Sequence, residues 1–463
     1  MEEIKADLVL KNGRIFVDGG LIRGAMAVKN GIIISLGDDL FMPEAGKVID
    51  AQGKVVLPGI IDTHVHIREP SCSERGTFAT ETAAAANGGV TTILEQPISS
   101  PPPSSPEILR HRIEIAQPQC FVDFAFFGAA GSDCPEEIPR VAKAGIIGFK
   151  TFLLHPFKGR ENEFRSLTMA NDAALVDGFE RVARTGLTLT VHAENDDMIQ
   201  RLVKKFKAEG RTGWEAHCAS RPPITEVEPF EKLILIAQET GVRLTFAHVS
   251  TADGMELCRR ARERGQKVHV ETCPQYLFLS DEAMLKYGPF TKCNPPLRSA
   301  KDRDALWNYV RNGTVDYIGG DHGPFLLSEK ERGIKDIFDC PAGLANIEVT
   351  LPLMLTAVRD GRLSLARMVD LLCANAARIF KLKNKGHLAP GYDADFVVVD
   401  TEKTFTVDHH EFKTKARDIA VPYDGMKLTG RPVLTAVRGR VIMENGVIDS
   451  ANQGWGRLQR PAE

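Results

Sequence analysis

Two histidines separated by one residue, His64 and His66, are the first feature of this chain that could do chemistry. They follow an apolar run over residues 55–62 that is typical of a buried β-strand. Because side chains alternate along a strand, residues i and i+2 project to the same side, so both imidazoles can approach one point. Neutral imidazole is a common ligand of zinc and related metals. The pair alone is a weak signal, because two histidines near a strand end are more often packed or solvated.

The elements that must position this pair alternate in type along the central part of the chain. Apolar, β-branched runs alternate there with amphipathic stretches of helical length, which is typical of a (β/α)₈ barrel. A segment rich in proline and serine, residues 97–106, is predicted as a surface loop after the second strand. The eight predicted strands are Val56–Asp62, Val90–Glu95, Phe121–Phe127, Ile146–Lys150, Leu187–His192, Val242–His248, Lys267–Glu271 and Val315–Gly319.

Both ends of the chain have a different pattern. Short strand-like runs separated by Asn-Gly turns occupy residues 6–57, and similar runs return over residues 394–439. We predict that the two termini together build one small antiparallel β-domain. The predicted divisions are therefore residues 1–57 for its first part, 58–383 for the catalytic barrel, and 384–463 for its second part and tail.

Polar side chains also stand at the ends of four other predicted strands. The carboxyl ends of barrel strands form one rim, and active sites of this fold lie there. Side chains that are distant in the sequence should therefore converge. Packing does not explain so many histidines at one rim, so the set favours a metal site. The converging residues are His64, His66, Lys150, His192, His248 and Asp321.

Lys150 is the unusual member of this set. An ammonium group is repelled by metal cations and cannot be a ligand. A neutral amine that reacts with carbon dioxide becomes a carbamate, an anionic oxygen donor that can bridge two metals. The alternative is a structural lysine paired with a carboxylate such as Glu194.

Composition excludes several classes of partner. The chain has 463 residues, a formal net charge of −3 and 26% charged residues, so it carries no strong field for nucleic acid or an anionic membrane. The acidic start Met1–Lys5 does not resemble a secretion signal, and no apolar run approaches 18 residues. Nine scattered cysteines indicate free thiols. We expect a cytoplasmic protein with no nucleic-acid or membrane partner.

The order of the rim residues resembles the amidohydrolase superfamily. The match is closer to its cyclic-amide branch of hydantoinases, dihydropyrimidinases and allantoinases. The segment 152–157 lacks a tyrosine that D-selective enzymes carry, so the pattern is most similar to L-selective hydantoinases and allantoinases. The resemblance covers residues 6–450, and further stretches that carry it are 190–195, 271–277, 294–298, 320–322 and 423–432.

The resemblance implies a (β/α)₈ barrel with a small composite β-sandwich domain formed by both termini. It also implies a binuclear metal centre with zinc as the first choice, while manganese, cobalt and iron stay open. Lys150 would be carboxylated and would bridge the two metals. A hydroxide between the metals would attack the ring amide, and Asp321 would pass its proton to the leaving nitrogen. Relatives are commonly tetramers, so a homo-oligomer, either a tetramer or a dimer, is expected. The implied ligands are His64, His66 and Asp321 for one metal and His192 and His248 for the other.

The expected substrate is a small cyclic amide or ureide, such as a hydantoin or allantoin. Arg68 resembles the arginine with which dihydroorotases bind a substrate carboxylate, and a guanidinium suits that role. The alternative for Arg68 is a salt bridge to Glu69 or Glu74. The candidate substrate contacts are Arg68, Gln96, Asn294 and His155.

Two other functions are open. One is a dihydroorotase-like hydrolase of a carboxylate-bearing ring that uses Arg68. The other is a non-catalytic, dihydropyrimidinase-like scaffold protein, which the six filled ligand positions disfavour. We expect His322 to support its neighbour Asp321 and the segment Lys158–Arg165 to form a mobile lid. The histidines expected at the surface are His217, His269, His387, His409 and His410.

Overall fold

The strands of the protein form two separate sheets. A computed structural model describes residues 5–156, 159–169 and 171–462. Within these residues, one sheet has nine strands from both ends of the chain and the other has eight strands from the middle. The (β/α)₈ barrel and the composite β-domain predicted from the sequence are confirmed.

The nine-stranded sheet joins the two termini. Strand β5 pairs with β1 from the N-terminal part and with β14 from the C-terminal part, so it connects the two parts. A separate apolar core, which includes Leu10, Met26 and Phe396, lies within this sheet. Its strands are β1 (Ala6–Val17), β2 (Gly20–Lys29), β3 (Ile32–Gly37), β4 (Ala45–Asp50), β5 (Val55–Pro58), β14 (Phe396–Thr406), β15 (Lys427–Val437), β16 (Arg440–Glu444) and β17 (Val447–Ile448).

The eight barrel strands follow one another in sequence order, and each pairs in parallel with the next. Each of the eight predicted strands overlaps one of them. The strands are β6 (Ile60–Val65), β7 (Val90–Glu95), β8 (Asp123–Ala129), β9 (Gly148–Phe152), β10 (Thr188–His192), β11 (Arg243–Phe246), β12 (Val268–Thr272) and β13 (Tyr317–Ile318).

Helices lie between the barrel strands and pack on them through one large apolar core. None of the helices in the described ranges is long and apolar enough to cross a lipid bilayer. The α-helices are α1 (Phe78–Asn87), α2 (Pro106–Ala116), α3 (Ile138–Lys143), α4 (Glu161–Phe164), α5 (Asp172–Ala183), α6 (Asp196–Ala208), α7 (Glu215–Ser220), α8 (Ile224–Thr240), α9 (Ala252–Glu263), α10 (Pro274–Phe278), α11 (Asp281–Tyr287), α12 (Ala300–Arg311), α13 (Leu327–Glu331), α14 (Thr350–Arg359), α15 (Leu365–Val369) and α16 (Asn375–Ile379).

Two details differ from the sequence prediction. The apolar run expected as one strand is divided at Gly59, with β5 in the nine-stranded sheet and β6 in the barrel. A Cβ on Gly59 would collide with the Thr91 side chain. Only glycine therefore allows the backbone to lie this close to Thr91. The segment 97–106 is a loop after β7, as predicted, but five of its ten residues are buried, so it lies only partly at the surface. The division at Gly59 supports a proposed domain boundary near residue 57, with the second near residue 384.

Backbone hydrogen bonds near the last strand close the barrel. The His322 amide donates to the His64 carbonyl at 3.1 Å, and the His66 amide donates to the His322 carbonyl at 2.9 Å. Two residues before His322, the Gly320 amide donates to the side-chain Oδ1 of Asp62 at 2.8 Å. These bonds bring the end of β6 beside the segment that follows β13.

A buried ion cluster joins the barrel to the nine-stranded sheet. The ammonium of Lys385 donates to Asp123 at 2.7 Å, Asp393 at 2.9 Å and Asp395 at 2.6 Å. Asp123 begins β8, and it also pairs with Arg438 from the turn between β15 and β16. Burial opposes the charge of Lys385, but the three carboxylates outweigh it and raise its pKa.

We predict that Lys385→Met destabilises the fold, because it leaves the buried Asp123 and Asp395 and the half-buried Asp393 without their shared cation. Removal of one partner from a buried ion group costs about 3–5 kcal/mol in the free energy of unfolding. Urea denaturation followed by tryptophan fluorescence measures this loss. The matched control is Lys383→Met, because Lys383 is exposed; it should unfold as the wild type does, and an equal loss in both variants would refute the role of the cluster.

Candidate active site

The six rim residues predicted from the sequence converge at the carboxyl end of the barrel. A cavity of about 870 Å³ opens there, and the four histidines and Asp321 line it. Lys150 is fully buried in β9. The barrel therefore places these six side chains around one point.

One corner of the group is formed by the end of β6 and the segment after β13. Nε2 of His64 and Nε2 of His66 each lie 3.4 Å from Oδ1 of Asp321. Atoms of this kind from all three residues lie within 4.8 Å of one another, so one ion could contact them together. Burial raises the pKa of Asp321 to about 8 and lowers the pKa values of both histidines well below their usual range.

The second corner is formed by the ends of β10 and β11. Nδ1 of His192 lies 2.9 Å from Nε2 of His248, and both side chains are buried. Burial keeps both imidazoles neutral by lowering their pKa values. Two neutral imidazole nitrogens that face each other form a donor pair for a second cation.

Two carboxylates that sequence reasoning did not single out as site residues orient these histidines from behind. Glu271 on β12 accepts from Nδ1 of His64 at 2.6 Å, and Glu194 accepts from Nε2 of His192 at 3.0 Å. Because a carboxylate accepts a hydrogen bond, each ring must donate on that side and turns its lone pair towards the cavity. Arg221 lies 2.5 Å from Glu194, and it outweighs the effect of burial and lowers the pKa of that carboxyl.

The role of Glu271 behind His64 could have been predicted from the sequence. It ends the seventh predicted strand, and side-chain alternation could have assigned it to the inside of the barrel. Glu194 appeared at the sequence level only as an alternative partner of Lys150. In the structure its contacts are with His192 and Arg221.

Backbone conformation also distinguishes two of the rim residues. His248 has φ of 40° and Asp321 has φ of 50°, a left-handed region that residues other than glycine seldom adopt. Such conformations persist only where surrounding contacts determine them. The closing hydrogen bonds of the barrel flank Asp321 on both sides and supply those contacts.

Lys150 lacks a partner that would explain its burial. Its Nζ makes no hydrogen bond to any described residue. Burial lowers its pKa to about 8, which makes the neutral, nucleophilic amine accessible near neutral pH. A buried amine without a partner is costly, whereas a carbamate facing cations would be satisfied. The donor set of this structure therefore fits two divalent cations held around a modified lysine.

The four predicted substrate contacts fall in different places. Arg68 and Asn294 line the cavity, whereas Gln96 and His155 are not among its described lining residues. The Gln96 amide donates to the Thr63 carbonyl and so supports β6 from behind. The His155 side chain is exposed and lies 4.0 Å from Asp197.

The surroundings of Arg68 differ from the predicted salt bridge to Glu69 or Glu74. Its guanidinium lies 3.9 Å from Glu163, donates to the Ile98 carbonyl at 3.3 Å, and stacks 5.0 Å from the Phe325 ring. It is 3% exposed, and Nε has no described hydrogen-bond partner. Burial lowers its pKa to about 10, so it stays charged at neutral pH.

The remaining histidines correct part of the surface prediction. His217 is buried and lines the cavity, and His409 is also buried, whereas His387 and His410 are exposed and His269 is intermediate. His322 is buried beside Asp321, as expected, and its Nε2 lies 2.8 Å from Glu81.

The predicted lid over Lys158–Arg165 lies only partly within the described residues. Lys158 lies outside them. Arg160 and Phe164 line the cavity, and Glu163 contacts both Arg160 and Arg68.

A parallel barrel with four histidines, a lysine and an aspartate on its carboxyl rim defines the amidohydrolase class of enzymes. The model of the "Amidohydrolase family" matches residues 55–442. The chain belongs to the amidohydrolase family, and the predicted resemblance to its cyclic-amide branch is confirmed.

Named relatives align over almost the whole chain. An L-hydantoinase of Paenarthrobacter aurescens is 37% identical over 455 residues, which is 98% of this chain and 97% of that protein. An allantoinase of Rubrobacter xylanophilus is 35% identical, with 98% of each chain covered. The solved structure of an L-hydantoinase (dihydropyrimidinase) from Arthrobacter aurescens superposes with a TM-score of 0.93 at 37% identity, covering 98% of this chain and 100% of that chain.

Proposed function

We propose that this protein opens the ring of a cyclic amide or ureide of the hydantoin or allantoin class by metal-dependent hydrolysis. The observation that carries the proposal is the convergence of four histidines and Asp321 on one cavity, with a buried lysine whose Nζ has no described hydrogen-bond partner. The relatives named L-hydantoinase and allantoinase support the class of substrate.

The arrangement supports two metal positions. His64, His66 and Asp321 would hold one ion, His192 and His248 the other, and a carboxylated Lys150 would lie between them. When bound, two such ions polarise a carbonyl group and lower the pKa of water. Zinc is the first choice because imidazole and carboxylate are ligands that it commonly takes.

The chain itself supplies proton transfer and orientation. Oδ1 of Asp321 points into the cavity beside both Nε2 atoms of the first corner. From there Asp321 would accept the proton of the attacking water and deliver it to the ring nitrogen that leaves. Glu271 and Glu194 would keep the imidazoles in the tautomers that face the cavity.

Metal dependence and substrate class are tested together. Purified protein should contain about two divalent metal ions per chain, measured by mass spectrometry. Its ring-opening activity should be assayed on a panel of substrates, namely hydantoin, 5-substituted hydantoins, dihydrouracil, allantoin and dihydroorotate. Removal of the metal with a chelator should abolish ring opening, and zinc should restore it. Full activity in protein without metal would contradict the proposal.

Lys150→Ala should lose bound metal and activity together, because the bridging group is removed. Small carboxylic acids should restore part of the activity, since they can occupy the place of the carbamate. Metal analysis and an activity assay with added propionate measure this result. Lys143→Ala, at an exposed position on α3, is the control and should behave as the wild type; unchanged metal content in Lys150→Ala would refute the bridging role.

A second substrate class is favoured by a specific observation at Arg68. Within the described ranges, no carboxylate lies closer than 3.9 Å to its buried guanidinium, and Nε has no partner, so a substrate carboxylate on the ring could complete its contacts. In this case the enzyme would be a dihydroorotase-like hydrolase.

Arg68→Met should then weaken binding of dihydroorotate about tenfold or more, while KM for neutral hydantoins changes much less. Steady-state kinetics on both rings measure the difference. The control is Arg75→Met, because Arg75 contacts the same Phe325 ring but is already paired with Glu329. An equal loss on charged and neutral rings in Arg68→Met would count against this class.

The scaffold alternative is disfavoured because all six ligand-type positions are filled, and five of these residues line one cavity. The expected homo-oligomer, a tetramer or a dimer, and the cytoplasmic location stay predictions.

A further inference from the structure

The wall of the active-site cavity is rich in cations beyond Arg68. Among the described residues that line it, seven are basic and three are acidic. The basic residues are Arg68, Arg75, Arg160, Lys207, Arg221, Lys292 and Arg332, and the acidic residues are Asp321, Glu329 and Asp339.

Most of the basic side chains of this wall are matched by a carboxylate. Lys292 differs from them, because it is 7% exposed and no carboxylate of the described chain lies within 4.0 Å of its ammonium. A buried charge without a counter-ion is costly unless a ligand supplies one. The matched pairs are Arg75 with Glu329, Arg160 with Glu163, Arg221 with Glu194, and Lys207 with Asp336.

The hydrogen bonds of Lys292 leave part of its donor capacity unused. Nζ donates to the carbonyl of Ile337 at 2.6 Å and to that of Cys340 at 2.5 Å. An ammonium has three N–H donors, so one remains for a group in the cavity that Lys292 lines. Burial lowers the pKa of Lys292 to about 8, which leaves it largely protonated at neutral pH.

A second buried lysine, Lys330, provides an internal comparison, because both lysines donate to carbonyls of the segment 337–343. Lys330 is fully buried, does not line the cavity, and donates to three carbonyls, those of Lys292, Pro341 and Gly343. All three of its donors are therefore used within the protein, two of them on the segment 337–343 and one on the backbone of Lys292. Lys292 supports the same segment and keeps one donor for the cavity.

Neighbouring residues keep Lys292 in place and add polarity to the wall. Nε2 of His217 donates to the carbonyl of Cys293 at 2.9 Å, which fixes the backbone beside Lys292. Arg221 lies on the same wall, and its charge also lowers the pKa of Lys292. Oδ1 of Asn294 is buried without a described partner and can accept an N–H of a ring.

We propose that Lys292, with Arg221 on the same wall, forms an anion subsite, and that the enzyme prefers cyclic amides whose ring substituent ends in a carboxylate. This inference rests on the proposed ring-opening activity. It differs from the Arg68 alternative, because here the carboxylate lies on the substituent rather than on the ring. A carboxylate would give Lys292 the counter-ion that the described part of the chain does not provide.

The test compares two hydantoins that differ in charge at the end of the 5-substituent, hydantoin-5-propionate and 5-propylhydantoin. Wild-type enzyme should open the carboxylate ring with a kcat/KM about tenfold higher or more, mainly through a lower KM. Lys292→Met should lower kcat/KM for the carboxylate ring about tenfold more than for the propyl ring.

Lys330→Met separates recognition from support of the segment 337–343. It should lower activity on both rings by the same factor, because Lys330 holds the segment without facing the substrate. The proposal is overturned if wild-type enzyme treats the two rings equally, or if Lys292→Met lowers both equally, as Lys330→Met does.

A failure of the proposed function would be visible separately. If wild-type enzyme with bound metal opens neither these rings nor allantoin, the ring-opening activity is wrong. Calorimetric binding of the same two hydantoins to the wild type and to Lys292→Met then tests the subsite without turnover. Tighter binding of the carboxylate ring that disappears in Lys292→Met would support the subsite, and equal binding would overturn it.

Discussion

The backbone hydrogen bonds that join the end of β6 to the segment after β13 are the constraint on which the site depends. The His322 amide and carbonyl pair with the backbone of His64 and His66, so the strand that begins the barrel is held beside the strand that ends it. Asp321 precedes His322 and is thereby held beside both histidines. His64 and His66 are separated from Asp321 by more than half of the chain. Without this closure, nothing would hold these three side chains together.

Burial sets the second condition of the site. Ionisable groups taken out of water require partners, and nearly all of those at this rim have one within the protein. Glu271 supports His64, Glu194 supports His192, and Arg221 compensates Glu194. The hydrogen bonds from His64 to Glu271 and from His192 to Glu194 also decide which nitrogen of each ring faces the cavity. Lys150 is the exception, because its Nζ has no hydrogen-bond partner among the described residues, and this is why we propose that it is carboxylated.

Three buried lysines show how the same side chain can have different uses. Lys385 is surrounded by carboxylates and joins the two sheets, and Lys330 uses all its donors on backbone carbonyls. Lys292 holds the same segment as Lys330 but faces the cavity with one donor unused. The number of N–H donors that each lysine uses in hydrogen bonds within the protein separates a structural role from a role in binding.

Local patterns in the sequence determined the fold and the rim, because strand alternation and the strand–helix order are periodic features of neighbouring residues. The two histidines of β6, the eight barrel strands and the six converging residues follow from those patterns. Tertiary structure decided the rest: the division of the first apolar run at Gly59, the burial of His217, and the positions of Gln96 and His155 outside the cavity. It also decided that Glu271 stands behind His64 and that, among the described residues, Lys292 donates to two carbonyls and pairs with no carboxylate. These outcomes depend on contacts between segments far apart in the chain, and no local periodicity carries information about which side chains will meet.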